Sequence, residues 1–194
     1  GTCVLSYFWK DETAIELDVS KTDATTVETS TVWDNGLTFP TNFSLVTVTD
    51  EVAIRLDALT LNIIGDGIDD ITRNEHLAFK DANYYLTVED IDAGTFEVDF
   101  NGSTATLFRG SVKQLAVTAI NGKKPVFYIN GEYANTGDIT VTLNDSTTND
   151  LIIGNDAASD NFGGTLHRFQ LFNSVLTDLE IRNLYHKALV VIDV

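Results

Sequence analysis

Four Asn-Gly pairs punctuate the chain, at 35–36, 101–102, 121–122 and 130–131, and the last three each fall between two runs of alternating apolar and polar residues. A type I′ turn needs φ > 0 at both central residues, and Asn-Gly adopts that conformation at low cost. The segments TFEVDF-NG-STATLF, KQLAVTAI-NG-KKPVFYI and PVFYI-NG-EYANT therefore read as successive strands of an antiparallel sheet joined by tight turns. Pro125 weakens the start of its strand, because it has no N–H to give to a ladder.

Period-2 patterning extends over most of the sequence. VLSYFW (4–9) is apolar on both faces, AIELDV (14–19) alternates, and residues 43–64 form a long β-rich stretch with breaks near Asp50 and Asp57. YYLTV (84–88) adds another strand rich in β-branched and aromatic residues. The Thr-rich piece 20–33 reads as a loop or an edge strand. No repeat of fixed period and no low-complexity linker interrupts the pattern, so the sequence predicts one domain over 1–194.

The net charge is −17. Such a surface repels phosphate backbones and anionic membranes, so the sequence predicts no nucleic-acid partner. No apolar run is long enough to span a bilayer, and membrane insertion is not expected. Cys3 is alone and offers no internal disulfide. The chain starts at Gly1 and contains no Met, which reads as the product of processing, with a leader removed or not.

After this strand-rich body the ending changes character. TLHRFQLF (165–172) alternates, with Leu166, Arg168, Gln170 and Phe172 on one face and His167, Phe169 and Leu171 on the other. Thr177 to Glu180 reads T-x-x-E, a capping box, with Leu176 before it as a staple. A short helix follows, expected to present Leu179, Leu184 and Tyr185 on one face, and LVVID (189–193) reads as a last strand beside the N-terminal one. This ending, together with FYINGE (127–132), LIIGND (151–156) and FGGTLHRFQLFN (162–173), resembles the LamG-like members of the concanavalin A-like lectin/glucanase jelly rolls. The resemblance implies an all-β, two-sheet antiparallel jelly-roll sandwich with one short C-terminal helix. It also implies a module that binds glycans, proteins or lipids, or that serves as a spacer. The family commonly carries an acidic residue where His167-Arg168 stand here, so no role transfers at that place.

Candidate residues for chemistry fall into three sets. In FEVDFNG, Glu97 and Asp99 match the first two acids of the Glu-x-Asp-x-Glu strand that related jelly-roll glycoside hydrolases carry, but Asn101-Gly102 replace the third. Retaining hydrolysis needs two carboxyls about 5–5.5 Å apart. Without its acid the strand reads more simply as a solvent-facing edge. Calcium takes several oxygen ligands from flexible loops. GDGIDD offers Asp66, Asp69 and Asp70, and GNDAASDN offers Asn155, Asp156, Asp160 and Asn161. The same residues also simply populate turns. Sugar platforms need loop-adjacent rings beside Asn and Asp, and Trp33 with Asp34-Asn35, and Tyr133, fit that description, though such rings more often pack at a core or rim. His76, His167 and His186 have no metal-ligand spacing and read as ordinary imidazoles.

The resulting expectation is a non-enzymatic recognition or adhesion module for a glycan or a surface partner, extracellular, secreted or on a virion surface, and working either with calcium or with no cofactor. A rival reading is a structural assembly protein, such as a virion decoration or fibre subunit or an adhesin, working as a homo-oligomer or in a larger assembly. The third is a glycoside hydrolase with an incomplete acid set.

Overall fold

The structure, a computed structural model, describes residues 3–8, 26–29, 32–33, 36–39, 45–50, 54–71, 74–81, 83–144, 148–156 and 161–192. In chain order the strands are β1 (Cys3–Phe8), β2 (Thr26–Thr29), β3 (Val32–Trp33), β4 (Leu37–Thr38), β5 (Leu45–Val48), β6 (Ala58–Asp66), β7 (Glu75–Lys80) and β8 (Tyr84–Asp90). They continue with β9 (Thr95–Phe100), β10 (Ser103–Phe108), β11 (Gln114–Ile120), β12 (Val126–Ile129), β13 (Glu132–Thr136), β14 (Leu151–Ile153) and β15 (Thr165–Phe172), before the helix α1 (Asp178–Ile192).

Two antiparallel sheets result. The first runs β13-β12-β11-β6-β15-β4-β3, with β1 also paired to β15, and the second runs β10-β9-β8-β7-β14-β5-β2. Two of the Asn-Gly pairs make the predicted two-residue hairpins. Asn101 and Gly102 have φ of 56° and 81°, and Asn130 and Gly131 have 51° and 83°. The Asn121-Gly122 pair opens a longer connection between β11 and β12, with Gly122 at φ 74°.

The inward faces of the sheets meet in a continuous core. Leu59, Leu61 and Ile63 of β6, Leu115 and Val117 of β11 and Phe169 of β15 belong to the same cluster as Leu86, Val88, Phe96, Val98 and Phe100 of the second sheet. At one end the sandwich edges meet, where Asn135 Nδ2 donates to the Thr106 carbonyl at 3.1 Å and Thr104 N–H to Asp138 Oδ1 at 2.8 Å. The second sheet is anchored by a buried ion pair. The Lys80 ammonium, its side chain 0% exposed, lies 2.6 Å from Asp50 Oδ1, and Arg55 donates to the same carboxylate.

The C-terminal segment departs from its expected form in three places. A bulge between Leu166 and Arg168 shifts the register of β15 against β6. Strict alternation therefore fails, and Leu166 joins Phe169 and Leu171 in the core. Residues 189–192 continue the helix instead of forming a strand, and β1 pairs with β15 without them. The helix buries Ile181 and Ala188, with Leu184 partly covered, while Leu179 is 63% exposed. The spacing 181, 184, 188 is the apolar stripe that the helix turns toward the sheet.

The N-terminus of α1 has the predicted capping box. Glu180 N–H donates to Thr177 Oγ1 at 3.3 Å, and Thr177 N–H donates back to Glu180 Oε2 at 2.8 Å. Leu176 and Ile181, the two staple positions, share a small cluster with Ala116, Tyr128 and Phe172 on the outer face of the first sheet. A polar ladder also lies under the helix, with Gln114 Nε2 donating to Asn62 Oδ1 at 2.6 Å and Asn62 Nδ2 to Gln170 Oε1 at 3.0 Å. The helix thus closes the outer face of the first sheet. Along the second sheet, the outward side chains Tyr85, Thr87, Glu97 and Asp99 are partly exposed and Glu89 is exposed. No helix among the described residues is long and apolar enough to cross a membrane.

Candidate functional site

The open face of the second sheet carries a groove of about 260 Å³ lined by Asn74, His76, Tyr85, Thr87, Glu89, Glu97 and Asp99. Three adjacent strands build it. Alternation along β8 turns Tyr85, Thr87 and Glu89 outward, while Tyr84, Leu86 and Val88 enter the core. The same alternation on β9 turns Glu97 and Asp99 outward. The β8–β9 register places Glu89 directly opposite Glu97 and Thr87 opposite Asp99. On β7, His76 alternates with the buried Glu75 and Leu77 and pairs with Thr87, which brings its ring to the groove, and the register shift that follows it turns Phe79 to the same face.

Aromatic and imidazole rings line one side. His76 meets Phe79 edge to face, with centroids 5.6 Å apart, and Tyr85 lies 6.5 Å from His76. Carboxylates line the other side. Tyr85 Oη donates to Asp99 Oδ2 at 3.3 Å, and Gly102 N–H donates to Asp99 Oδ1 at 2.7 Å. Burial pushes the Asp99 carboxyl above its usual range despite those two bonds. Burial, and then the neighbouring Asp99 charge, push the Tyr85 phenol up as well. Asn74, with its amide nitrogen turned toward Glu89, donates to both carboxylate oxygens at 3.2 Å. The groove thus combines ring surfaces, a hydroxyl and three acids, which suits a ligand with both C–H faces and hydrogen-bond donors.

The sequence identified Glu97 and Asp99 but not their company. The third acid of the groove is Glu89, which arrives from β8 opposite Glu97 and not at the place of residue 101. Asn101 instead uses its side-chain amide to tie the turn to the carbonyls of Asn83 and Thr142. The signal for Glu89 was present, because YYLTVED alternates and a short connection to TFEVDF forces antiparallel pairing. For His76, alternation with Glu75 and Leu77 showed the face but not its neighbours, which follow from the β7–β8 register.

The two candidate sugar platforms lie far apart. Trp33 lies on β3 and Tyr133 on β13, which are the two opposite edges of the first sheet. Six strand spacings separate them, roughly 29 Å. Tyr133 is 57% exposed, with its hydroxyl 3.1 Å from Thr136 Oγ1. Asp34 and Asn35 lie outside the described residues.

The calcium candidates mostly bond to the protein itself. Asp66 receives Lys113 on one oxygen and faces His167 Nε2 at 2.9 Å on the other. Asp69 Oδ2 accepts Gly110 N–H at 2.8 Å. Asp69 and Asp70 line a shallow depression of about 490 Å³, where Arg109 is held by the Asp90 carboxylate and by the carbonyls of Asp69, Asp92 and Thr95. Asn155 Oδ1 accepts Asp156 N–H at 2.7 Å, and Asn161 Nδ2 donates to the buried Phe39 carbonyl at 2.6 Å. Asp160 lies outside the described residues. Among the described residues no three His, Cys, Asp or Glu side chains form a group that could hold a metal ion.

Comparison with solved structures finds the same fold in the binding domains of botulinum neurotoxins. The serotype D binding domain matches at a TM-score of 0.64 and 14% identity, over 96% of this chain and 52% of that one. The serotype DC binding domain, in complex with rat synaptotagmin II, matches at 0.67 and 11%, over 95% and 51%. A type C neurotoxin structure, whose cell entry depends on interaction with two ganglioside molecules, matches at 0.66 and 10%, over 96% and 51%. The chain therefore spans about half the length of these domains. No curated protein matches it in sequence. Residues 34–182 match the family model Laminin_G_3, and the chain belongs to the concanavalin A-like lectin/glucanase superfamily.

Proposed function

We propose that this chain is a non-enzymatic recognition module that binds a glycan in the groove formed by β7, β8 and β9, on a surface outside the cell or on a virion. The observation that carries the reading is the juxtaposition of the Tyr85 and His76 rings with the Glu89, Glu97 and Asp99 carboxylates on the outward face of the second sheet. Membership of a lectin-like superfamily supports a binding role. The neurotoxin domains support it in kind, since one interacts with gangliosides and another with a protein receptor. Fold likeness does not pass their ligands to this chain.

A glycan array, run with calcium and with chelator, tests the proposal. Binding that Tyr85→Ala abolishes supports it. Loss on chelation assigns calcium a role and directs attention to the loops of Asp66, Asp69 and Asp70 and of Asn155, Asp156, Asp160 and Asn161. Absence of binding in both conditions overturns it in favour of the assembly protein, which size measurements in solution would then show as a homo-oligomer or larger particle.

Glu89 gives the hydrolase reading a third carboxylate. Incubating the bound glycan with the protein and assaying new reducing ends separates the two readings. Intact glycan is the expected result, and steady release abolished by Glu97→Gln would make the groove an active site.

A further inference from the structure

We infer that the end of the second sheet bearing Ile91 and Phe108 docks a basic segment of a protein partner through an apolar anchor. The surface lies beyond the glycan groove and does not depend on it. Outward positions are polar where β8 and β10 approach this end, with Thr87 and Glu89 on one and Thr104 and Thr106 on the other. The next outward positions are Ile91 and Phe108, 47% and 80% exposed. Asp90 pairs with Phe96 and Phe108 with Thr95, so the two apolar side chains share one row with Thr95 between them. Two strand spacings separate them, roughly 10 Å. A side chain this exposed adds little to folding, and neighbouring exposed apolar groups mark a contact surface. The row is also held in place from beneath. Arg109 Nε donates to the carbonyls of Asp92 and Thr95 at 3.0 and 3.2 Å, and its other nitrogens bind the Asp69 carbonyl and the Asp90 carboxylate. Asp92 Oδ1 closes the β8–β9 turn, accepting the N–H groups of Gly94 and Thr95 at 2.8 and 2.7 Å. A surface fixed in this way costs little to order on binding.

Charge decides the occupant. The apolar pair places the surface, and the acids around it set the sign of what fits. The depression beside the row is lined by Asp69, Asp70, Asp90 and Asp92, and the one base among its lining residues is Arg109, 17% exposed and bound to the loops. On the other side, Glu89 and Glu97 lie one outward position further along β8 and β9. An apolar centre within a charged rim is the plan of a protein interface, with the aromatic side chain as its anchor. The rim here is negative, so the complementary partner presents Lys or Arg around an aliphatic or aromatic residue. A second copy of the chain brings the same net charge of −17 and is repelled, as is an anionic membrane.

Fluorescence anisotropy with three labelled peptides tests the inference at low and high salt. The first alternates Lys with Phe and Leu, the second has Ser for the apolar residues, and the third has Glu for Lys. The first is expected to bind, the second about tenfold more weakly, and the third not at all. Phe108→Ser should weaken the first about tenfold, whereas Leu179→Ser, an apolar change at a 63% exposed site on α1, should not. Asp70→Asn should weaken it about threefold at low salt and not at high salt. Asp57→Asn, which precedes β6 where Asp70 follows it, should leave binding unchanged. Equal effects of Asp70→Asn and Asp57→Asn overturn the inference, because the attraction would belong to the bulk charge. Equal binding of the Lys-Ser peptide, or of the Glu peptide, overturns the apolar anchor or the charge selection. Binding insensitive to Phe108→Ser places the contact elsewhere and overturns it. Self-association of the chain that Phe108→Ser abolishes makes a second copy the occupant and overturns it, and so does the absence of binding by any peptide.

Discussion

Replacing Asp50 by Asn should cost far more than a surface ion pair is worth. The Lys80 side chain is 0% exposed and that of Asp50 is 7% exposed. The ammonium has the Asp50 carboxylate at 2.6 Å and the Asn149 carbonyl as partners. Arg55 Nε donates to the other Asp50 oxygen at 2.9 Å, so one carboxylate serves two cations. Asn at 50 removes the carboxylate that both cations contact and leaves the Lys80 charge buried. Breaking a buried pair in this way costs about 3–5 kcal/mol, a large share of a total of about 5–15 kcal/mol. Urea unfolding at neutral pH measures it, and the midpoint should fall by about 1 M or more. The double variant with Lys80→Met removes both charges and should recover much of the loss. A loss below about 1 kcal/mol for Asp50→Asn would refute the reasoning, since that is the range of exposed pairs. The pH dependence has a fixed sign. Burial pushes the Asp50 carboxyl up, but the hydrogen bonds and charges of Arg55 and Lys80 outweigh burial and hold it below the usual range. Its contribution is therefore full above the ordinary carboxylate pKa of about 4 and is lost as pH falls through the lower folded value. Asp50→Asn should flatten the acid limb of the stability profile.

Glu97→Gln should raise the melting temperature, because it relieves the repulsion across the β8–β9 pair, and a gain of about 0.2–1 kcal/mol is expected. Thr177→Ala removes one half of the capping box and should cost about 1 kcal/mol, read from thermal unfolding followed by circular dichroism. Burial, then the Asp178 carboxylate at 2.9 Å, push the Tyr128 phenol up to about 12. Phenolate absorbance should therefore show a tyrosine that titrates late, and Asp178→Asn should lower its midpoint. Because the folded pKa is raised, this pair stabilises fully below about pH 10 and loses its contribution as pH rises toward about 12.

Local rules made the sandwich legible. Asn-Gly at 101–102 and 130–131 fixed two hairpins, and the alternation of 84–88 and 95–100 fixed which side chains enter the core. The capping box at Thr177 was legible for the same reason, since its partners are three residues apart. The failures came where long-range contacts override local pattern. The bulge at His167 turned Leu166 into the core, and residues 189–192 stayed helical although β-branched residues there favour a strand. The groove was half legible. Glu97 and Asp99 were visible on one strand, but Glu89 required the β8–β9 register and His76 the β7–β8 register. Trp33 and Tyr133 each suggested a platform because each adjoins a turn, and nothing local shows that seven strands lie in an order that puts them at opposite edges.

The central claim is that the ligand sits on the open face of the second sheet. Backbone amide spectra of the protein during titration with the tightest-binding glycan test it most directly. Shifts concentrated at His76, Tyr85, Thr87, Glu89, Glu97 and Asp99 are the predicted result. Shifts concentrated at Tyr133, at the Trp33 edge or along the two acidic loops, with β8 and β9 silent, would contradict it.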